Sequence, residues 1–554
     1  MDKLTLHERL LRRKSALWTD RSQWDAEMKE IARYIYPEGG RWSLHERNRN
    51  QRTFGDTINN HAWIARRTLS AGLMAGASSP ARPWFRVTTP DADLADYDSV
   101  RQWLHSVGSL MRDVFARSNT YQTLQLIYNE LSAFSTAANV LYDDFDHVIW
   151  HQPHTFGEYA LATDFRRRVN TFVREVPYTV WEMVQEFGLE NVSLSVRNQY
   201  DRGNYDHRVP VMHIIEPRPE NERDRSIGGA RNMPFRSTWF EPNGPSGVVL
   251  RDSGFRKFPV LAPRWMTIAG DTYGSGLGAQ ALGDVIHLQF LEKRKAKAID
   301  YQSDPPVQVP STLKDADLLP GGVSFYDQTT AGGGIRSAYE VKLDTASVRE
   351  DILQTQQRID RVFYVDLFLM LASMDTGREL TAREVAERHE EKLLMLGPVM
   401  ENLHTELFGP LIELTFDRLV RTGLLPTPPM ELQDQELKIE FVSTLAQAQK
   451  AIGLQAIDRL LGTVGAIAQQ RPEAWDKVDT DKVIDLYADM LGADPDAIVA
   501  NDRVAIVRQD RAQQQQAAQN IQMGAEMAKG AKDLASADTS GQNALTDVVS
   551  MFSQ

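Results

Sequence analysis

Between Thr57 and Ala77 the apolar and small residues Ile58, Ala62, Ala65, Leu69, Leu73 and Gly76 fall at three- and four-residue steps, which predicts a helix. Its stripe is made mostly of small side chains, so another element can approach it closely. Pro80 and Pro83 forbid continuation and push Ser79 and Arg82 into extended backbone. The stretch "SAGLMAGASSPARPWFRVTTPD" thus reads as a helix stop that aims Trp84 and Phe85 into a neighbouring layer, ahead of the strand "WFRVTT".

The same reading extends along the chain. A helical pattern runs from Thr5 to Tyr36 and is stopped by Pro37, Gly39 and Gly40. Helices are expected at about Ser99–Ser118 and Tyr121–Leu141. From His147 to Phe258 the pattern turns to short β-like runs, "HVIWHQ", "EYALATDF", "VNTFVREV" and "RVPVMHII", interrupted by one helix near Thr179–Phe187. After Gly270 a glycine-rich loop opens a helix of about Ala279–Tyr301, broken by "SDPPVQVP". A Pro- and Gly-rich module of short strands and turns follows, and Asp344 with the pair Ser347 and Glu350 starts a long helix. Its stripe is Val348, Ile352, Thr355, Ile359, Val362, Phe363, Leu367 and Met370. Beyond the loop "SMDTGRELT" further helices are expected at Thr381–Thr422, kinked at Pro398 and Pro410, at Ser443–Gln470 and at Asp481–Leu491. The Gln- and Ala-rich tail is helix-prone but holds too few large apolar residues to order itself alone. The fold class is α+β, mostly helical.

Composition narrows the choice. A chain of 554 residues with 42% hydrophobic and 25% charged residues has material for roughly two to four cored domains. The absence of cysteine removes disulfides, thiolate metal ligands and thiol nucleophiles. The first twenty residues lack the apolar core of a signal peptide, and no run approaches the roughly 18 apolar residues of a membrane span, so no membrane partner is expected. A net charge of −13 argues against coating nucleic acid by phosphate neutralisation, although it permits nucleic acid to slide past. The basic runs "RLLRRK", "FRRRV" and "EKRKAK" read first as solvated faces.

Candidate chemistry is thin. "GSGLGA", Gly274–Ala279, fits a dinucleotide-binding glycine pattern, but Asp300, at the right distance for the acidic partner, falls in the same helix instead of on a following strand. The loop therefore reads as a helix opening, with no cofactor. No phosphate-binding G-x-x-x-x-G-K-[ST] motif and no G-x-S-x-G elbow occur. "DDFDHVIWHQPH" gathers Asp143, Asp144, Asp146, His147, His151 and His154 and suggests a metal-dependent hydrolase as the competing reading. On a strand His147 and His151 would stand about 13 Å apart, too far to share one ion. No metal, cofactor or catalytic residue is expected.

The order of segments resembles a known family. "TFGDTINNHAWIARRTLSAGLMAGASSPARPWFRVT", "WLHSVGSLMRDVFARSNTY", "APRWMTIAGDTYGSGLGAQALGDVIHLQFLEKRKAKAIDYQSDPPVQVP", "TAREVAERHEEKLLMLGPVMENLHTELFGPLI" and "STLAQAQKA" together look like the head-to-tail connector, or portal protein, family of short-tailed bacteriophages. The match runs in order from about Arg9 to Val507, leaving the Gln-rich tail outside.

The resemblance implies a non-enzymatic ring of about twelve subunits at one capsid vertex, a conduit for genome packaging and ejection. It implies a portal fold: a wing with an α/β part over 1–269, stem helices over 270–302 and 345–371, a small β-rich clip over 303–344, a tunnel loop over 372–382, wing and crown helices over 383–500 and a tail over 501–554. Lys293, Arg294, Lys295 and Lys297 would then form basic rings along the stem, with Met374 and Arg378 at a channel constriction. Pro305, Pro306, Pro310, Gly332, Gly333 and Gly334 would shape the clip that meets partners, and Trp84 and Phe85 would anchor the wing core. Implied partners are terminase, which carries the ATPase, tail adaptor and nozzle proteins, capsid and scaffolding proteins, and double-stranded DNA in the channel. The implied location is the virion, after synthesis in the host cytoplasm. A structural adaptor without a channel would share the helices but would need no helix, β module, helix insertion.

Overall fold

A computed structural model describes residues 5–46, 57–91, 94, 97–223, 228–245, 248–303, 307–308, 336–337, 345–374, 396–432, 437–442, 457–491, 499 and 501–535. These residues divide into two compact units, one of 1–86, 106–426 and 439–479, the other of 87–105, 427–438 and 480–554. The fold is mixed α+β and mostly helical.

Helix α1, Leu6–Tyr34, starts where Thr5 and Glu8 cap each other reciprocally, the Thr5 hydroxyl accepting from the Glu8 amide and the Glu8 carboxylate from the Thr5 amide. Helix α2 is His61–Ala77, shorter at its start than the periodicity suggests. The Gln289 side chain accounts for the difference, because it accepts from the Ile58 and Asn59 amides and donates to the Asn59 carbonyl, holding that turn out of the helix. The short strand β1 is Phe85–Thr88, and helices α3 and α4 are Asp98–Arg117 and Thr120–Phe134. Helix α4 ends well before Leu141, because Ser135 turns left-handed at φ 60° and the chain enters strand β2, Ala138–Asp144. A short apolar run buried on every side cannot be assigned to strand or helix by period alone.

Strand β2 is the centre of a three-stranded antiparallel sheet, flanked by β3, Val148–His154, and later by β9, Val260–Leu261. The five-stranded antiparallel sheet follows chain order: β4 Tyr159–Thr163, β5 Val169–Thr179, β6 Arg208–Pro217, β7 Phe235–Phe240 and β8 Arg251–Phe255. One of its apolar clusters joins Ala160, Val173, Met212, Ile214 and Phe240 to Leu10 and Leu17 of α1. Another gathers Val211, Trp239 and Leu250 under the short helices α5, Val180–Phe187, and α6, Leu194–Asp201.

Helix α7 is Leu277–Ser303, α8 is Thr345–Val362 and α9 is Val365–Met374. The single long helix expected from Asp344 to Met370 is therefore divided. Tyr364 takes φ +52°, and its carbonyl accepts the first amides of α9 from Leu367 and Phe368. Ser347, read as part of a capping box, lies inside α8. Described helix continues over 396–403, passes through a π-turn at His404–Phe408 and becomes α10, Gly409–Thr422. The irregular turn just precedes Pro410, whose ring has no amide to give it. In the second unit α11, Thr480–Leu491, and α12, Asn501–Ala535, are joined by Arg508, which forks onto Asp481 at 2.6 and 2.7 Å.

Candidate functional site

Helices α7 and α8 pack against each other as a pair. Ala281, Val285, Leu288 and Gln289 are buried along α7, and Ile352, Thr355 and Ile359 along α8. Arg358 Nε donates to Asp284 Oδ1 at 2.9 Å across the pair, and α8 is fixed to α2 by His61 Nε2 and Asp360 Oδ1 at 2.9 Å. The chain between the two helices is described only where strands β10, Val307–Gln308, and β11, Arg336–Ser337, pair antiparallel, with Val307 opposite Ser337. The ends of that segment are thus zipped together near the paired helices. Pro305, Pro306, Pro310, Gly332, Gly333 and Gly334 lie outside the described residues.

The basic run on α7 separates into two roles. Lys293, Arg294 and Lys297 are exposed, and at 100° per residue they fall within an arc of about 100°. Arg294 lies 4.1 Å over the Phe290 ring and Lys297 5.5 Å from the Tyr301 ring centre. Lys295 points elsewhere and bonds Glu292 at 2.9 Å, whose other oxygen accepts from Asn59 Nδ2 at 3.0 Å.

The small-residue stripe of α2 has a partner. The Phe368 ring of α9 sits on Gly72, where an added Cβ would stand 2.1 Å from Phe368 Cδ1 and 2.6 Å from its Cβ. Helix α9 then leads to Met374, the last described residue before 396, so Arg378 and the loop beyond lie outside the described residues.

Trp84 and Phe85 are fully buried. The Trp84 ring lies 4.6 Å from Phe85, 6.0 Å from Phe115 of α3 and 5.2 Å from Phe408, and its Nε1 donates to the Tyr121 hydroxyl at 3.4 Å.

The Asp and His residues of 143–154 are dispersed into separate duties. Asp143 pairs with Arg418 and Arg421, and Asp144 accepts from the His147 amide at 2.8 Å and bonds its ring at 3.0 Å. His151 is buried between the Asn139 amide at 2.8 Å and the Thr120 hydroxyl at 2.9 Å, and burial beside Arg418 pushes its pKa down to about 3. Burial and Arg174 lower His154 to about 4. Among the described residues no three such side chains converge on one point suited to a metal ion. The glycine pattern at 274–279 is likewise structural. Added Cβ atoms at Gly274 and Gly278 would stand 2.2 Å from the Ser135 carbonyl and 2.0 Å from the Ala133 carbonyl, so both glycines admit the end of α4.

Sequence reading missed the buried arginines that tie distant segments together. Arg264, 3% exposed, forks onto Glu406 and donates to the carbonyls of Thr272 and Arg167. Arg21 donates to the Gly157 and Tyr159 carbonyls at 2.7 and 2.8 Å. Nothing local distinguishes these from solvated arginines.

Comparison with known proteins adds the remaining fact. Residues 7–499 match the family described as bacteriophage head to tail connecting protein. The probable portal protein of Bordetella phage BPP-1 is 48% identical over the whole of both chains, and the portal protein of Salmonella phage epsilon15 is 42% identical over 98% of each. The portal protein of Enterobacteria phage T3 is 26% identical over 46% of each chain. A solved chain from a gene transfer agent virion covers 79% of this chain and 95% of its own, at 8% identity and a TM-score of 0.34.

Proposed function

The chain belongs to the bacteriophage head-to-tail connecting protein family and is a portal protein, and from that premise we propose how its parts serve the role. Portal proteins are structural components of the virion neck that assemble as a ring, and this chain is one of them. The observation that carries the reading is the full-length identity to two phage portal proteins. The α7 and α8 pair, bracketing a segment whose ends are zipped by β10 and β11, is what a stem carrying a clip requires, and it supports that assignment.

In this reading residues 1–269 form the wing, α7 and α8 the stem, 303–344 the clip that meets terminase and then tail adaptors, 372–382 the tunnel loop, 383–500 further wing and crown helices, and 501–554 the tail. About twelve copies, assembled with scaffolding and capsid proteins in the host cytoplasm, close around double-stranded DNA. Each copy carries a charge of −13, so the ring repels DNA overall while Lys293, Arg294 and Lys297 offer weak, salt-screened phosphate contacts. No turnover is assigned to the ring itself, because hydrolysis belongs to the docking motor.

Negative-stain imaging and mass photometry of the purified protein test this. Rings of a dozen or so copies are expected. A species that stays monomeric at micromolar concentration across salt and magnesium, with scaffolding protein supplied, would overturn it.

A further inference from the structure

Two hairpins each end in a phenylalanine held almost wholly in solvent. Phe145, at the tip between β2 and β3, is 104% exposed, and Phe165, between β4 and β5, is 87% exposed. One such residue alone would need no explanation. These two differ from scattered surface residues in three ways.

Their surroundings carry opposite charge. Phe145 stands among Asp143, Asp144 and Asp146, while Phe165 leads into Arg166, Arg167 and Arg168. Part of this charge is spent internally: Asp143 faces Arg418 and Arg421, Asp144 bonds His147, and Arg168 bonds Asp164 at 3.2 Å. Asp146 on one tip and Arg166 on the other are left exposed.

Both tips are bonded internally, and each carries a residue in the left-handed region. Asp144 Oδ2 accepts from the amides of Asp146 and His147, and Asp164 Oδ1 accepts from the amide of Arg168 at 2.9 Å. Val148 and Arg167 take φ +69° and +65°, a region that a β-branched residue such as valine seldom occupies. Backbone strain held in place by its surroundings points to a functional position.

The tips also lie toward opposite ends of one ruler. Arg264 holds the Arg167 carbonyl at 2.9 Å and forks onto Glu406, while Arg418 and Arg421 hold Asp143. From residue 406 to residue 418 the helix rises about 18 Å at 1.5 Å per residue.

We infer that the Phe165 tip of one copy docks against the Phe145 tip of the next copy, a head-to-tail contact between neighbouring subunits. This rests on the ring reading above. A ring closed by rotation needs two different, complementary patches set apart on each copy, and these tips meet that requirement. Like tips repel, so the charges exclude the symmetric pairing, and the phenylalanines supply the apolar centre.

The native chain contains no cysteine, so Phe145→Cys with Phe165→Cys places a single pair. Mild oxidation of assembled rings of this double variant is expected to give a ladder of linked subunits on a denaturing gel, and neither single variant gives one. Asp146→Arg or Arg166→Asp alone should cut ring yield about tenfold at low salt, and the two together should restore it. Intact rings without a ladder, a dimer from either single variant, or a swap that fails to restore yield would overturn the docking and leave the portal reading standing. Arg166→Asp rings that form at full yield but lose DNA would overturn it in favour of a nucleic-acid contact. Failure of the unaltered chain to form rings would instead overturn the portal reading. Circular dichroism and thermal melts of the variants separate lost docking from lost folding.

Discussion

Glu130 is 6% exposed, and its carboxyl accepts from the Thr155 hydroxyl at 2.8 Å and the Phe156 amide at 3.0 Å. Burial pushes its pKa from 4.5 up to about 8, only partly offset by those two donors. The folded chain therefore holds the proton that the unfolded chain releases. Its contribution to stability is fully present below pH 4.5 and is lost as pH rises toward about 8. Glu130→Gln is expected to flatten this decline, so that its melting temperature changes less between pH 5 and pH 8 than that of the unaltered protein. Melts across that range check it, and parallel curves for both proteins would refute it. His151 acts in the opposite sense. Its pKa is lowered to about 3, so its contribution is present above 6.5 and is lost as pH falls toward that lower value. Sequence named His151 only as a possible metal ligand and did not single out Glu130, and it could show the burial of neither, because burial depends on strands and helices paired across long separations. Arg418 lies more than 260 positions from the hairpin that carries Asp143 and His151, yet it pairs with Asp143 and bonds the carbonyl of Leu141 opposite His151.

Among the elements, small residues on α2 were legible as a surface for close approach, whereas the partner was not. The ring on Gly72 belongs to Phe368, almost three hundred positions away. Gly72→Ala should force α9 off α2 and destabilise the protein by about 1–3 kcal/mol. Denaturant unfolding measures this, and an unchanged midpoint would show that the contact yields freely. Period also found α1, most strands of the larger sheet and the α7 and α8 pair, whereas the capping box read at Ser347 and Glu350 misplaced the start of α8, which begins at Thr345. Period failed where a chain buried on all sides loses it, as at Ala138–Leu141, and where a left-handed Tyr364 interrupts an unbroken apolar stripe. The Arg264 fork on Glu406 is a third case, fixing the π-turn to the loop before α7. Arg264→Met is expected to cost about 3 kcal/mol, and Glu406→Gln less, because Glu406 is more open to water than Arg264. A double-mutant cycle gives the coupling, and additive losses would deny that the pair acts as a unit.

At the scale of the whole molecule the chain combines a net charge of −13 with a narrow arc of exposed cations on α7. A conduit must not hold its cargo tightly while it moves, yet it must keep the cargo from leaking back. The phosphate contacts proposed for Lys293, Arg294 and Lys297 would be screened beyond about 8 Å at physiological salt, too weak to retain DNA under pressure. In the proposed reading retention would fall to a constriction at "ASMDTGRELT", whose first three residues, Ala372 to Met374, close α9. Its root is firm, because Leu367 and Phe368 are buried and Phe368 is seated on Gly72. A short segment leaving a fixed helix end can move without disturbing its anchor. Met374 would give it an apolar lip and Arg378 one cation for phosphate. Deletion of Ser373 to Arg378 removes the last two residues of α9 but leaves the buried Leu367 and Phe368, so ring formation should be unchanged while packaged DNA leaks from filled heads. Imaging scores the rings, and nuclease protection scores the retained genome. Rings that form normally and retain DNA like the unaltered protein would reduce the loop to a plain connection. Rings that fail to form would move its role from constriction to assembly.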